Sequence, residues 1–220
     1  HISYPQGCEK NIVEAVLGRE IPAGKLPADA GAVICNVGTV CAIHDAFREG
    51  KPLIDRALTI SGGACGKPCN IRVPVGTLVG DLIPEVITLK DWNNVAKIIS
   101  GGPMMGFAMG SAQFPIAKGT SGVLFLTKEE TYLVDEDQCI SCGHCVDACP
   151  MHLTPVMIVK SLTADAMDDA KEYGLMDCIE CGCCSYVCPA NVRLVQRIRV
   201  GKAEVRAQMA AERAKAASPV

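Results

Sequence analysis

Apolar residues recur at helical spacing over residues 9–17, where Ile12, Val13, Val16 and Leu17 share one face and Gly18 supplies a stop. Pro22, Gly24 and Pro27 then mark a loop. Gly31-Ala-Val-Ile-Cys35 is a short apolar run that predicts a buried strand, Asn36-Val37-Gly38-Thr39 a turn and cap, and residues 40–48 a helix. From about residue 57 the pattern changes. Ala57 to Ile60, Asn70 to Pro74 and Lys97 to Ser100 are β-like runs separated by glycine and proline, with one helical stretch from Leu78 to Ile83. Gly62-Gly63 and Gly101-Gly102-Pro103-Met104-Met105-Gly106 bound this module, and residues 107–128 are expected to link it to the next segment. Pro155 to Leu162 and Ala164 to Glu172 predict two short helices, and Leu194 to Ala217 a longer one. Residues 202–217 alternate charged residues with alanine, as in a solvated helical tail. The fold class is therefore α+β and multidomain, with segments over 1–56, 57–128 and 129–206 and a helical tail over 207–220.

Two runs interrupt these periodicities: Cys139-Ile-Ser-Cys142-Gly-His-Cys145-Val-Asp-Ala-Cys149-Pro150 and Cys178-Ile-Glu-Cys181-Gly-Cys183-Cys184-Ser-Tyr-Val-Cys188-Pro189. Each has the spacing C-x2-C-x2-C-x3-C-P, with which bacterial ferredoxins hold paired cubane iron-sulfur clusters. Three thiolates on one tight loop reach three iron corners, and the fourth, before proline, ligates the other cluster. The first cluster is thus assigned to Cys139, Cys142, Cys145 and Cys188, and the second to Cys178, Cys181, Cys184 and Cys149. Gly143 and Gly182 permit the backbone angles of such loops. Zinc is the competing metal, although a four-thiolate zinc site does not call for four cysteines at this spacing in both runs. Cys183 is surplus to the repeat and reads as a buried thiol, and His144 and His152 read as solvated loop residues.

Composition narrows the setting. A net charge of −3 over 220 residues gives no basic character for nucleic acid, and no apolar run approaches the ~20 residues that span a bilayer. Membrane association would come through a partner. Of 14 cysteines eight are absorbed by the runs; beside such runs Cys8, Cys35, Cys41, Cys65 and Cys69 are expected to be free thiols of a reducing compartment. The strand-turn-helix step at Asn36, Gly38 and Thr39 would place amide groups at a helix start, where a phosphate can bind; an ordinary capped helix is the plainer alternative.

The order of segments resembles the C subunit of the Rnf complex, an ion-translocating ferredoxin:NAD oxidoreductase of bacterial membranes. Tyr4-Pro5-Gln6-Gly7-Cys8-Glu9-Lys10, Gly18-Arg19-Glu20-Ile21-Pro22, Asn36-Val37-Gly38-Thr39, Gly101-Gly102-Pro103-Met104-Met105-Gly106 and the double cysteine run carry the resemblance over nearly the whole chain. It implies a partial α/β flavin-domain segment (1–56), a small β-grasp (SLBB-type) module with linker (57–128) and a helix-rich 2[4Fe-4S] ferredoxin domain (129–206). It also implies a peripheral place on the cytoplasmic side of the membrane, with other subunits of a redox complex and ferredoxin-like carriers as partners. Asn36, Gly38 and Thr39 would lie near the flavin phosphate, and Gly7 and Glu9 near its ring. Because the chain opens at His1, an N-terminal portion holding most FMN and NADH contacts is expected to precede it. The implied function is electron relay between NADH or flavin and membrane subunits through two clusters. A cobalamin-reductase-like microcompartment protein and a simple ferredoxin-type carrier are the alternatives.

Overall fold

The computed structural model describes residues 4–131 and 134–217. Its helices are α1 (Glu9–Leu17), α2 (Val37–Glu49), α3 (His144–Asp147), α4 (Pro155–Thr163), α5 (Met167–Glu172), α6 (Cys183–Tyr186) and α7 (Leu194–Ala217). The strands are β1 (Asp55–Ser61), β2 (Cys69–Pro74), β3 (Val95–Ser100), β4 (Phe107–Met109) and β5 (Gly122–Thr127). The described residues divide into two compact units: one takes in residues up to Ile34 and those from Val134 onward, the other the residues from Cys35 on. This division falls inside the segment 1–56 that the sequence suggested as one domain, so α1 and α2 belong to different units.

In the second unit the five strands form one sheet of order β2-β1-β5-β3-β4, in which β1 and β5 run parallel and the other pairs antiparallel. Along β1, Leu58 and Ile60 are buried while Ala57 and Thr59 face outward, the period of two that a half-buried strand requires. The core gathers Leu58, Ile60, Val73, Ile98, Val123 and Phe125 from the strands. It is closed by Val79, Ile87, Phe114 and Ile116 from the segments between them. Those covering segments are tied to each other by backbone bonds, Val79 N–H to the Phe114 carbonyl and Ile116 N–H to the Thr77 carbonyl. Backbone groups are thereby satisfied without a long helix. The helix expected over Leu78 to Ile83 is accordingly only a 3-10 turn, Gly80–Leu82. Residues 107–128, expected to be a linker, supply β4 and the central strand β5.

The predicted strand at 31–35 is not formed. Among the described residues no strand pairs with it, and Val33 is 83 % exposed, so its amides have no ladder to join. The helix after it begins at Val37 rather than 40 and ends at Gly50, whose φ of 64° is the left-handed stop that glycine tolerates. α1 spans 9–17 as its spacing requires, with Gly18 at φ 62° as the stop.

In the first unit, α4, α5 and α7 pack around Ile158, Val159, Ala170, Leu175, Val195 and Ile198. α7 approaches α4 closely because Gly201 is buried, and a Cβ there would run into the Leu162 side chain. The expected solvated tail starts later than residue 202, since Lys202 and Val205 are both buried. Residues from Arg206 to Lys215 are exposed.

Among the described residues Phe125 is the largest fully buried side chain, and it lies on the central strand. Phe125→Ala should destabilise the sheet unit by about 3–5 kcal/mol in urea denaturation, whereas Val86→Ala, at a 44 % exposed position, should cost less than about 1 kcal/mol.

Candidate metal centre

The two cysteine runs fold as two copies of one device. Ser141 and Glu180, matched in the repeat, have φ of 56° and 57°; Gly143 and Gly182 have 83° and 85°; His152 and Asn191 have 52° and 51°. Each loop turns through a left-handed glycine into a four-residue helix, α3 or α6, and leads through its proline toward a longer one, α4 or α7. Left-handed conformation at non-glycine residues is uncommon, and its recurrence at equivalent positions ties it to what the loops wrap around.

The loops exchange one cysteine. Cys139, Cys142 and Cys145 of the first line a cavity of about 260 Å³ together with Cys188 of the second, and Val156, Val192 and Leu194 close its wall. The set drawn from spacing alone is therefore brought to one place. In the other direction, Cys149 lies near enough to Cys178 and Cys184 for its charge to act on both, beside Cys181. Backbone amides point at the sulfurs: Ser141 N–H donates to Cys139 Sγ, Glu180 N–H to Cys178 Sγ and Leu153 N–H to Cys149 Sγ, each at 3.4 Å. Such N–H···S bonds favour thiolate and help to set a cluster's potential.

Burial pushes the Cys184 thiol up to about 12, with the charges of Cys178 and Cys181 adding to it. Burial also raises Cys145 and Cys178; for Cys178 the Glu180 amide and the Lys202 ammonium act against the rise. Thiols raised in this way and gathered at one place cannot all ionise unless cations compensate them. Iron-sulfur clusters supply that compensation, and an all-thiolate donor set suits them. The residues present fit the group.

The remaining sequence candidates fall into place around these loops. His144 and His152 are exposed. Cys183 is half-buried rather than buried, and its thiol is pushed up to about 11 by burial and by its hydrogen bond with Cys181. Four residues not singled out from the sequence support the second loop. Tyr4 donates its hydroxyl to the Cys181 carbonyl at 2.7 Å, and Lys202 donates to the Cys178 carbonyl at 2.7 Å. Glu180 pairs with Lys202 at 2.8 Å and with Arg199 at 3.1 Å. Burial alone would raise the Glu180 carboxyl, but Lys202, Arg199 and Arg206 together hold it below the usual carboxylate range. The packed helix α7 could have signalled this, because Arg199, Lys202 and Arg206 recur on it at helical spacing.

Of the flavin candidates, Asn36 is the N-cap of α2: its Oδ1 accepts from Gly38 N–H at 2.9 Å. Thr39 N–H donates to the Asn36 carbonyl. The Arg56 guanidinium sits over Gly38, 3.2 Å from where a Cβ would stand, and donates to the Thr120 carbonyl. Asn36, Gly38, Lys51, Asp55, Arg56 and Arg72 line a cleft of about 340 Å³ in this unit, where Asp55 pairs with both Lys51 and Arg72. Gly7 and Glu9 belong to the other unit, at the start of α1. Among the described residues no helix is long and apolar enough to cross a membrane.

Residues 1–45 match the family model of the Nuo51 FMN-binding domain, and residues 131–189, which span all eight repeat cysteines, match that of a 4Fe-4S dicluster domain. Curated relatives include the C subunit of a proton-translocating ferredoxin:NAD(+) oxidoreductase complex from Clostridium ljungdahlii, 53 % identical over 213 residues, or 96 % of this chain and 46 % of that protein. The C subunit of a Na(+)-translocating ferredoxin:NAD(+) oxidoreductase complex from Acetobacterium woodii is 45 % identical over 94 % of this chain and 46 % of its own length. The C subunit of an ion-translocating oxidoreductase complex from Rhodobacter capsulatus is 43 % identical over 92 % of this chain and 38 % of its own. The chain thus spans less than half the length of these relatives.

The left-handed glycines give a direct test of the loops. Gly143→Val or Gly182→Val forces a β-branched residue into that conformation and should cost about 1–2 kcal/mol or more in urea denaturation. The same change at Gly119, where a Cβ meets nothing, should cost less.

Proposed function

We propose that this chain is the iron-sulfur-bearing part of the C subunit of an Rnf-type ion-translocating ferredoxin:NAD oxidoreductase, and that it relays electrons between NADH or flavin and membrane subunits. The observation that carries the reading is the meeting of Cys139, Cys142 and Cys145 with Cys188 around one cavity, across two loops far apart in sequence. Likeness over more than nine-tenths of this chain to subunits named for that complex supports the assignment. Cys139, Cys142, Cys145 and Cys188 would hold one [4Fe-4S] cluster, and Cys178, Cys181, Cys184 and Cys149 the other. When bound, such clusters accept and release single electrons over a range of potential that the protein tunes.

The chain's own residues supply the tuning and the shelter. The eight thiolates bind. Gly143 and Gly182 bend the loops, and the amides of Ser141, Glu180 and Leu153 donate to sulfur. Val156, Val192 and Leu194 form an apolar wall on one side of the first site, while Tyr4, Lys202 and Glu180 fix the second loop. Exchange of a cysteine between loops implies neighbouring clusters, the arrangement an electron relay needs.

The finer domain reading follows the same family. The sheet order β2-β1-β5-β3-β4 with parallel central strands supports a β-grasp, SLBB-type module over 57–128. The match of residues 1–45 to the Nuo51 FMN-binding domain supports reading 1–56 as part of a flavin domain. There the α2 amino terminus at Asn36, Gly38 and Thr39, under Arg56, would hold a flavin phosphate. The protein would lie peripherally on the cytoplasmic side of a bacterial membrane, against other subunits and ferredoxin-like carriers.

Cys188→Ser tests the crossed ligand assignment. It should halve the iron of the anaerobically reconstituted chain, from about eight to about four per chain, and remove the cluster whose other ligands lie on the first loop. In the assembled complex it should abolish ferredoxin-dependent NAD reduction. Loss of the second-loop cluster instead, or no loss of iron, would contradict the crossing.

A further inference from the structure

The two loops match in backbone but not in what lies behind them. Behind the second, the Lys202 side chain is only 6 % exposed. Its Nζ sits 2.7 Å from the carbonyl of Cys178 and 2.8 Å from Oε1 of Glu180, whose Oε2 receives Arg199 Nε at 3.1 Å. Glu180 itself stands between Cys178 and Cys181 in the left-handed turn. Behind the first loop the residue matching Glu180 is the exposed Ser141. The residues matching Arg199 and Lys202 are Lys160, which is exposed but lines the cavity of the first site, and Thr163, whose hydroxyl donates to the Val159 carbonyl of its own helix. Glu180 and Lys202 thus have uncharged counterparts at the first loop, Ser141 and Thr163, and the difference is electrical.

The loops also differ in exposure. Cys139 and Cys142 are exposed, with Ile140 between them 67 % exposed, whereas Cys181 and Cys184 are buried. Burial disfavours the extra negative charge that reduction places on a cluster, so the second site would be the harder of the two to reduce on that ground alone. A buried ammonium is itself costly and persists only with partners. Here its partners are the loop carboxylate and the carbonyl of a ligand-bearing residue. The Lys202 charge is thereby fixed behind the second loop, 2.7 Å from the Cys178 carbonyl oxygen.

We propose that Lys202 is an electrostatic positioning residue: its charge, held by Glu180 and the Cys178 carbonyl, raises the reduction potential of the second, buried cluster. The charge offsets the effect of burial. This rests on reading the loops as cluster sites.

The test is a redox titration followed by EPR on the full chain, reconstituted anaerobically with iron and sulfide. Lys202→Met should lower the reduction equilibrium of one cluster about tenfold, or ~59 mV for one electron, and leave the other in place. Lys202→Arg, which keeps the charge, should hold both steps near the wild-type values. Glu180→Gln, which removes the opposing charge, should move the same step upward, and Lys202→Gln, neutral but still able to donate a hydrogen bond, should repeat the lowering if Lys202→Met does not retain its cluster. Unmoved potentials in cluster-loaded variants, or shifts of the same sign for Lys202→Met and Glu180→Gln, would overturn the inference and mark the ion pair as purely structural. A wild-type chain that takes up no clusters would fail earlier, at the iron-sulfur reading itself.

Discussion

Thiolates repel one another, and a protein that crowds eight cysteines into two adjoining loops must hold them against that repulsion and against the cost of burying them. The chain does so by letting two loops from separate parts of the sequence share a site, with Cys188 reaching the cavity of Cys139, Cys142 and Cys145. Much else in the first unit depends on this. The left-handed turns at Ser141, Gly143, Glu180 and Gly182 aim the sulfurs inward, and α4 and α7 pack on each other to keep the two loops in register. Gly201 against Leu162 sets how closely those helices approach, and so where Lys202 stands relative to Cys178.

The sheet unit meets a different demand. Its central strand β5 has partners on both sides, and Val123 and Phe125 are wholly buried, so a continuous apolar run is what such a position selects. The covering layer is irregular backbone stitched by its own hydrogen bonds, not a long helix. It stays closed because Val79, Ile87, Phe114 and Ile116 are buried beneath it.

How much could be read in advance depended on whether a signal was local. The cysteine spacing is local, and it led to a ligand set of which the first four residues line one cavity. The ends of α1 at Glu9 and Leu17 and the start of α7 at Leu194 were equally legible, because glycine stops and helical periodicity act within a few residues. β5 was not recognised although Val123 to Leu126 is an unbroken apolar run, since periodicity alone does not separate a central strand from a buried connector. The run at 31–35 erred the other way: a strand is defined by its neighbour, and no pairing neighbour exists among the described residues. Lys202 looked like part of a charged tail because its partners Cys178 and Glu180 lie more than twenty residues upstream, and the helical spacing of Arg199, Lys202 and Arg206 does not by itself say which residues that face meets.

The central claim is that the chain holds two neighbouring cubane clusters with one cysteine exchanged each way. Anaerobic iron and sulfide analysis of the reconstituted chain, with EPR after dithionite reduction, tests it most directly. About eight irons and eight sulfides per chain, with spectra split by magnetic coupling between clusters, are predicted. Zinc without sulfide, or the uncoupled spectrum of a single cluster, would contradict it.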